Sequence, residues 1–144
     1  MIQIAIGSFL ASLGFGILFN IKGKKLYLAG IGGAIGGLLY HLCLNAQLSE
    51  MMSMFLGSVG LSLYSEMLAR ICKTPVTTFL ICALIPLVPG GGMYRTMLQA
   101  IQGNATQALT LGIDTMAIAG VLVIGILLVS TLMKSLSRAQ QRRG

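Results

Sequence analysis

The stretch IPLVPGGGMYRTM, from Ile85 to Met97, and two ionisable residues in apolar surroundings, Asp114 and His41, are where this sequence could do chemistry. Pro86 and Pro89 have no backbone N–H, so a helix through them loses donors for the carbonyls of Cys82 and Ile85, and the residue before each proline is pushed towards extended geometry. Gly90, Gly91 and Gly92 then permit any local backbone. A helix broken here ends in unpaired carbonyls at about Leu84 and restarts with free N–H groups at about Met93. That second start is a positive dipole end suited to a carboxylate or phosphate. Tyr94 and Arg95 follow at once, Arg95 as a counter-ion for the same guest or as an interfacial anchor.

Asp114 and His41 bring proton chemistry. An ionisable side chain within an apolar segment is expensive and therefore a functional candidate. Asp114, preceded on its face by Thr106 and Thr110, can take up and release a proton, with His41 as relay, or it can pair with Arg95. Glu66 precedes Arg70 by four residues, the favourable order for a helical salt bridge. Ser58, Ser62 and Ser65 add hydroxyls near that face. No nucleophile or metal-ligand partner for His41 is evident. Cys43, Cys72 and Cys82 show no C-x-x-C pairing, so neither a disulfide framework, a metal site nor a cofactor is expected.

The elements that must hold these groups are membrane helices. Of 144 residues, 56% are hydrophobic and 9% charged, whereas a soluble domain carries about 25% charged residues. Runs long enough for the ~20 residues of a membrane helix occupy residues 2–19, 26–44, 51–69, 75–102 with a break at 85–92, and 105–133. A basic tail, 134–144, follows. The runs lack period-two alternation, and an open sheet cannot satisfy its backbone in lipid, so helices are required. The expected fold is an all-α polytopic membrane protein: one domain of about five transmembrane helices, the fourth broken. The first run has no basic residues before its apolar core and reads as a retained span.

The net charge of +7 comes from short clusters between the spans, not from a basic patch, and nucleic acid is not an expected partner. Loops after the first, third and fifth spans hold nine of the ten Lys and Arg; Arg95 is the other. This places the N-terminus outside and the C-terminus in the cytoplasm. At about 1.5 Å per residue, Pro86–Pro89, His41 and Asp114 then fall near one level in the outer half of the bilayer. Small residues mark contact faces, since helices in lipid associate by close backbone approach. Gly32 with Gly36 and Gly33 with Gly37 form overlapping GxxxG pairs, and Ser8, Ser12 and Gly16 recur at four-residue spacing. Packing within the chain and a homo-oligomer seam are both open.

Phe19-Asn20 before a basic loop, the GGAIGG of Gly32–Gly37 and the IPLVPGGGMY stretch together resemble the small, C-terminal-type component of the bacterial threonine/serine exporter family, which includes two-part succinate exporters. The resemblance runs over nearly the whole chain. It implies a bacterial plasma membrane location, proton-driven efflux of threonine/serine or a dicarboxylate, and a larger membrane component of the same family as partner. The site roles above come from the residues. The competing readings are a non-transporting scaffold or assembly subunit, in which the break only serves packing, and a passive channel.

Overall fold

The computed structural model describes residues 2–141, with side chains to Ser137. Among these residues there are six α-helices and no strand: α1 (Ile2–Leu18), α2 (Lys24–Asn45), α3 (Glu50–Ile71), α4 (Val76–Leu84), α5 (Gly90–Ile101) and α6 (Ala105–Gln141). A 3-10 turn over Ile85–Leu87 extends α4. Helix α6 runs on through the segment expected as a tail, and Arg142 and Arg143 of that tail lie outside the described residues.

Helices α2 and α6 are long and apolar enough to cross a membrane. The bent pair Val76–Leu87 and Gly90–Ile101, with 50° between its halves, makes a third if it is one span. Helix α1 is apolar but shorter.

The helix ends are set by local chemistry. Ser49 caps α3 by accepting from the Met52 amide at 3.3 Å, and Glu50 puts an acidic group at the positive end of the dipole. Helices α1, α2, α3 and α5 each stop by reversing into a left-handed residue, at Asn20, Gln47, Lys73 and Gly103. At α5 the Gly103 amide donates to the Ala100 carbonyl and the Asn104 amide to that of Gln99, the paired bonds of a Schellman ending. Gly103, at φ 82°, turns the chain sharply enough for α5 and α6 to lie antiparallel.

Helices α1 to α4 form one packed body. Its core has two clusters, one of Met54, Leu61, Ala83 and Leu87 joined by Ile118 and Leu122 of α6, the other of Ala29, Ala69, Phe79 and Cys82. The four glycines of the two GxxxG pairs on α2 are all buried and serve two different neighbours. A Cβ on Gly33 or Gly37 would overlap Ser12 or Ser8 of α1, while one on Gly32 or Gly36 would press on Tyr64, Ala83, Leu61 or Leu87. Both GxxxG seams are thus filled from within the chain, and neither is left for a second copy. A Gly33→Leu protein should lose about 1–3 kcal/mol, the usual range for overpacking. Thermal unfolding in detergent checks this; an unchanged midpoint would mean that α1 does not seat as described.

Among the described residues, the backbone of α6 runs close to α3 and α5, and that of α5 to α6. The α5–α6 hairpin therefore forms a second body, joined to the first by the α3–α6 seam and by the chain at Val88–Pro89. Along that seam, Gly125 stands against Ser58 and the Phe55 carbonyl, Ser130 against Glu66 and Met133 against Arg70. The two helices run in the same direction.

Candidate functional site

The break is built differently from the sequence expectation. Ile85, before Pro86, is right-handed helical (φ −51°, ψ −45°). Pro86 sits at the start of the 3-10 turn, where its missing N–H is not needed. The Ile85 carbonyl is not left bare either, since the Val88 amide donates to it at 3.3 Å. Only Val88, before Pro89, takes the expected extended form (φ −58°, ψ 129°).

The second half begins at Gly90 rather than Met93, so the three glycines are the first turn of α5. The Gly90 amide bends back to the Val88 carbonyl at 2.7 Å, and the Met93 amide reaches Pro89 at 3.2 Å. Between them the amides of Gly91 and Gly92 have no backbone partner. The pair of free donors is therefore two residues earlier in the chain than expected. Glycine at position 92 answers a packing demand, because a Cβ there would come within 2.5 Å of Thr115 Oγ1 on α6.

A cavity of about 280 Å³ opens at this point, where the two bodies meet. The 3-10 turn and Pro89 line one side, Gly91, Gly92 and Arg95 of α5 another, and Asp114 and Thr115 of α6 a third. Tyr40 of α2 and Glu50 of α3 close it. The cavity is open, and Glu50, Arg95 and Asp114 all keep exposed surface.

Of the residues singled out in the sequence, the fold brings Pro86, Pro89, Gly91, Gly92, Arg95 and Asp114 together here. Gly90 lies at the entrance of α5 without lining the cavity. Tyr94 points away and is 68% exposed. His41 is half-buried outside the cavity, its ring edge-on to Tyr40 at 5.2 Å. Thr106 and Thr110 also lie off the lining, with the Thr110 hydroxyl turned to its own helix.

Arg95 and Asp114 share the cavity but form no ion pair; Arg95 Nε donates to the Gly91 carbonyl at 3.2 Å. Both charges are thus available to a guest. Glu50 and Tyr40 are the members that sequence reasoning missed. The usable signal was Ser49-Glu50 as a helix start, which sets the carboxylate at the N-terminal end of α3, beside the break.

The Glu66–Arg70 salt bridge is likewise not formed. Glu66 accepts instead from Ser130 Oγ at 3.2 Å, and Arg70 donates to the Met133 carbonyl at 2.7 Å. A surface helix pair is worth only about 0.2–0.5 kcal/mol, so partners offered by α6 readily displace it. Glu66 is 5% exposed, whereas Asp114 is exposed. The carboxylate that looked ordinary in the sequence is the buried one.

The arrangement can bind rather than cut. Two free amides and a guanidinium suit a carboxylate, and two carboxylates on the facing walls suit an ammonium group. Residues 4–132 match the family described as Threonine/Serine exporter, ThrE. No solved structure matches the chain.

Proposed function

The chain belongs to the threonine/serine exporter family, and from that membership we propose that it is a subunit of a proton-coupled exporter whose substrate site is the cavity at the broken fourth span. The membership makes it a membrane transport protein rather than an enzyme. We read the five apolar segments as five spans, N-terminus outside and C-terminus cytoplasmic, in a bacterial plasma membrane. The larger component of a two-part exporter is the partner that this reading calls for.

The observation that carries the proposal is the charge pattern of the cavity: Glu50 and Asp114 across from Arg95 and the free amides of Gly91 and Gly92. An amino-acid zwitterion matches it at both ends, its carboxylate at α5 and its ammonium between the two acids. A dicarboxylate meets the amides equally well but places its second charge beside like charges, which costs it affinity. The volume, close to the lower end of ligand pockets at about 300 Å³, suits a small metabolite.

Asp114 also supplies coupling. A carboxylate that holds the substrate's ammonium group in one state and a proton in the other exchanges the two on opposite faces of the membrane. Everted vesicles from cells producing the chain with its co-purifying partner should take up labelled threonine, with unlabelled threonine or serine competing at least about tenfold better than succinate (a difference of about 1.4 kcal/mol). Equal or better competition by succinate would overturn the zwitterion assignment. Metabolite profiling of a deletion strain, showing amino-acid retention, tests the same point in cells.

A further inference from the structure

Glu66 is the charged side chain that lies nine-tenths buried among the described residues, and the site above does not use it. It stands in the α3–α6 seam, the contact that joins the α5–α6 hairpin to the rest of the chain. Its one hydrogen bond is from Ser130 of α6. On its own helix, one turn earlier, the Ser62 hydroxyl is fully buried with no hydrogen-bond partner, as is that of the adjacent Ser65.

Among the described residues no cation forms an ion pair with Glu66. Arg70 is committed to the Met133 carbonyl. Lys134, one turn past Ser130 on α6, is exposed, as are Lys24 and Lys25 at the start of α2. Tyr64 donates to the Leu28 carbonyl of α2, and α4 contributes only the thiol of Cys82 as a titratable group. A buried carboxylate without a cation is costly as an anion. As an acid it has a proton to donate to a neighbouring hydroxyl or carbonyl.

From this we infer that Glu66 is a second proton-binding position, and that its protonation sets how α6 seats on α3. Resting on the proposed exporter reading, it places two carboxylates at two depths. Asp114 meets the proton in the open cavity, and Glu66 holds it in the seam nearer the cytoplasmic end of α3. Protonated, Glu66 lets the seam close as the structure shows. Deprotonated, it carries an unpaired charge that favours movement of α6 against α3, and with α6 the wall of the cavity that bears Asp114. Ser130 positions the carboxylate; the unpartnered hydroxyls of Ser62 and Ser65 offer further hydrogen-bonding stations in the same interior.

The test uses the same everted vesicles, with two assays on each protein: threonine counterflow at equal pH on both sides, and uptake driven by a pH difference. Glu66→Gln keeps the shape and the hydrogen bond while removing the titration. Counterflow is expected within about threefold of the parent. The accumulation driven by one pH unit, up to about tenfold for one coupled proton, should vanish, and Glu66→Asp should restore part of it. Normal pH-driven accumulation in Glu66→Gln would overturn the inference. A Glu66→Gln protein inactive in both assays would be judged through Ser130→Ala, which leaves the carboxylate in place; an unchanged pH profile there would also count against it. Sodium-driven accumulation by the parent protein at equal pH would assign the position to a metal cation and overturn the proton. Absence of threonine counterflow in the parent would instead sink the exporter reading itself.

Discussion

Replacing Arg95 by Gln is expected to raise the KM for threonine about 10- to 100-fold, the loss of one hydrogen bond to a charged group at about 1.5–3 kcal/mol. The guanidinium lies one turn beyond the free amides of Gly91 and Gly92 and lines the same cavity. Since it makes no ion pair with Asp114, removing it strands no partner charge, and the effect should appear in substrate affinity rather than in folding. Lysine should restore only part of the affinity, because a point charge does not reproduce the two-pronged geometry of guanidinium on a carboxylate. Threonine-dependent uptake into everted vesicles measures both variants. An unchanged KM for Arg95→Gln would return Arg95 to the role of an interfacial anchor and leave the α5 amides as the carboxylate site.

Much of this site was legible in the sequence because proline and glycine constrain the backbone locally. Two prolines three residues apart cannot sit in one unbroken helix, so the interruption and its place followed from residue type alone. What sequence spacing could not supply was the register of the restart. Whether three glycines extend a loop or open a helix depends on what lies beside them, and here Thr115 of α6 leaves room for Gly92 but not for a side chain. The glycine pairs of α2 were readable as contact faces for the same local reason. Their assignment to two separate neighbours needed the positions of Ser8, Ser12, Tyr64 and Leu87.

The charged residues were harder to read, since their surroundings are set by helices distant in the chain. Glu66 and Arg70 have ideal spacing for each other, yet each turns to α6, more than sixty residues away. Counting rises along helices brought Asp114 to the level of Pro86–Pro89, as the cavity shows. It brought His41 there too, but height says nothing of azimuth. His41 lies one residue past Tyr40, which on a helix is about 100° of rotation, and the tyrosine faces the cavity instead.

On the proposed cycle, Asp114→Asn is expected to lower pH-driven export about 100-fold or more, a loss of about 2.7 kcal/mol, because that cycle asks one carboxylate to do two things in turn. An amide is near enough in size to keep the wall of the cavity intact, but it has no charge to hold an ammonium group and binds no proton in the working range. Competition between proton and substrate at Asp114 has a further signature. If proton and substrate exclude one another there, threonine should bind the parent protein more tightly as the proton concentration falls, by up to about tenfold for each tenfold fall. In Asp114→Asn that slope should flatten. In Glu66→Gln it should persist, since the cavity is untouched and only the seam has changed. The two variants therefore separate capture from coupling: one loses affinity and its pH dependence together, the other keeps both and loses only the drive. Wild-type coupled transport by Asp114→Asn would take this residue out of the mechanism and leave Glu50, across the same cavity, as the carboxylate that faces the substrate.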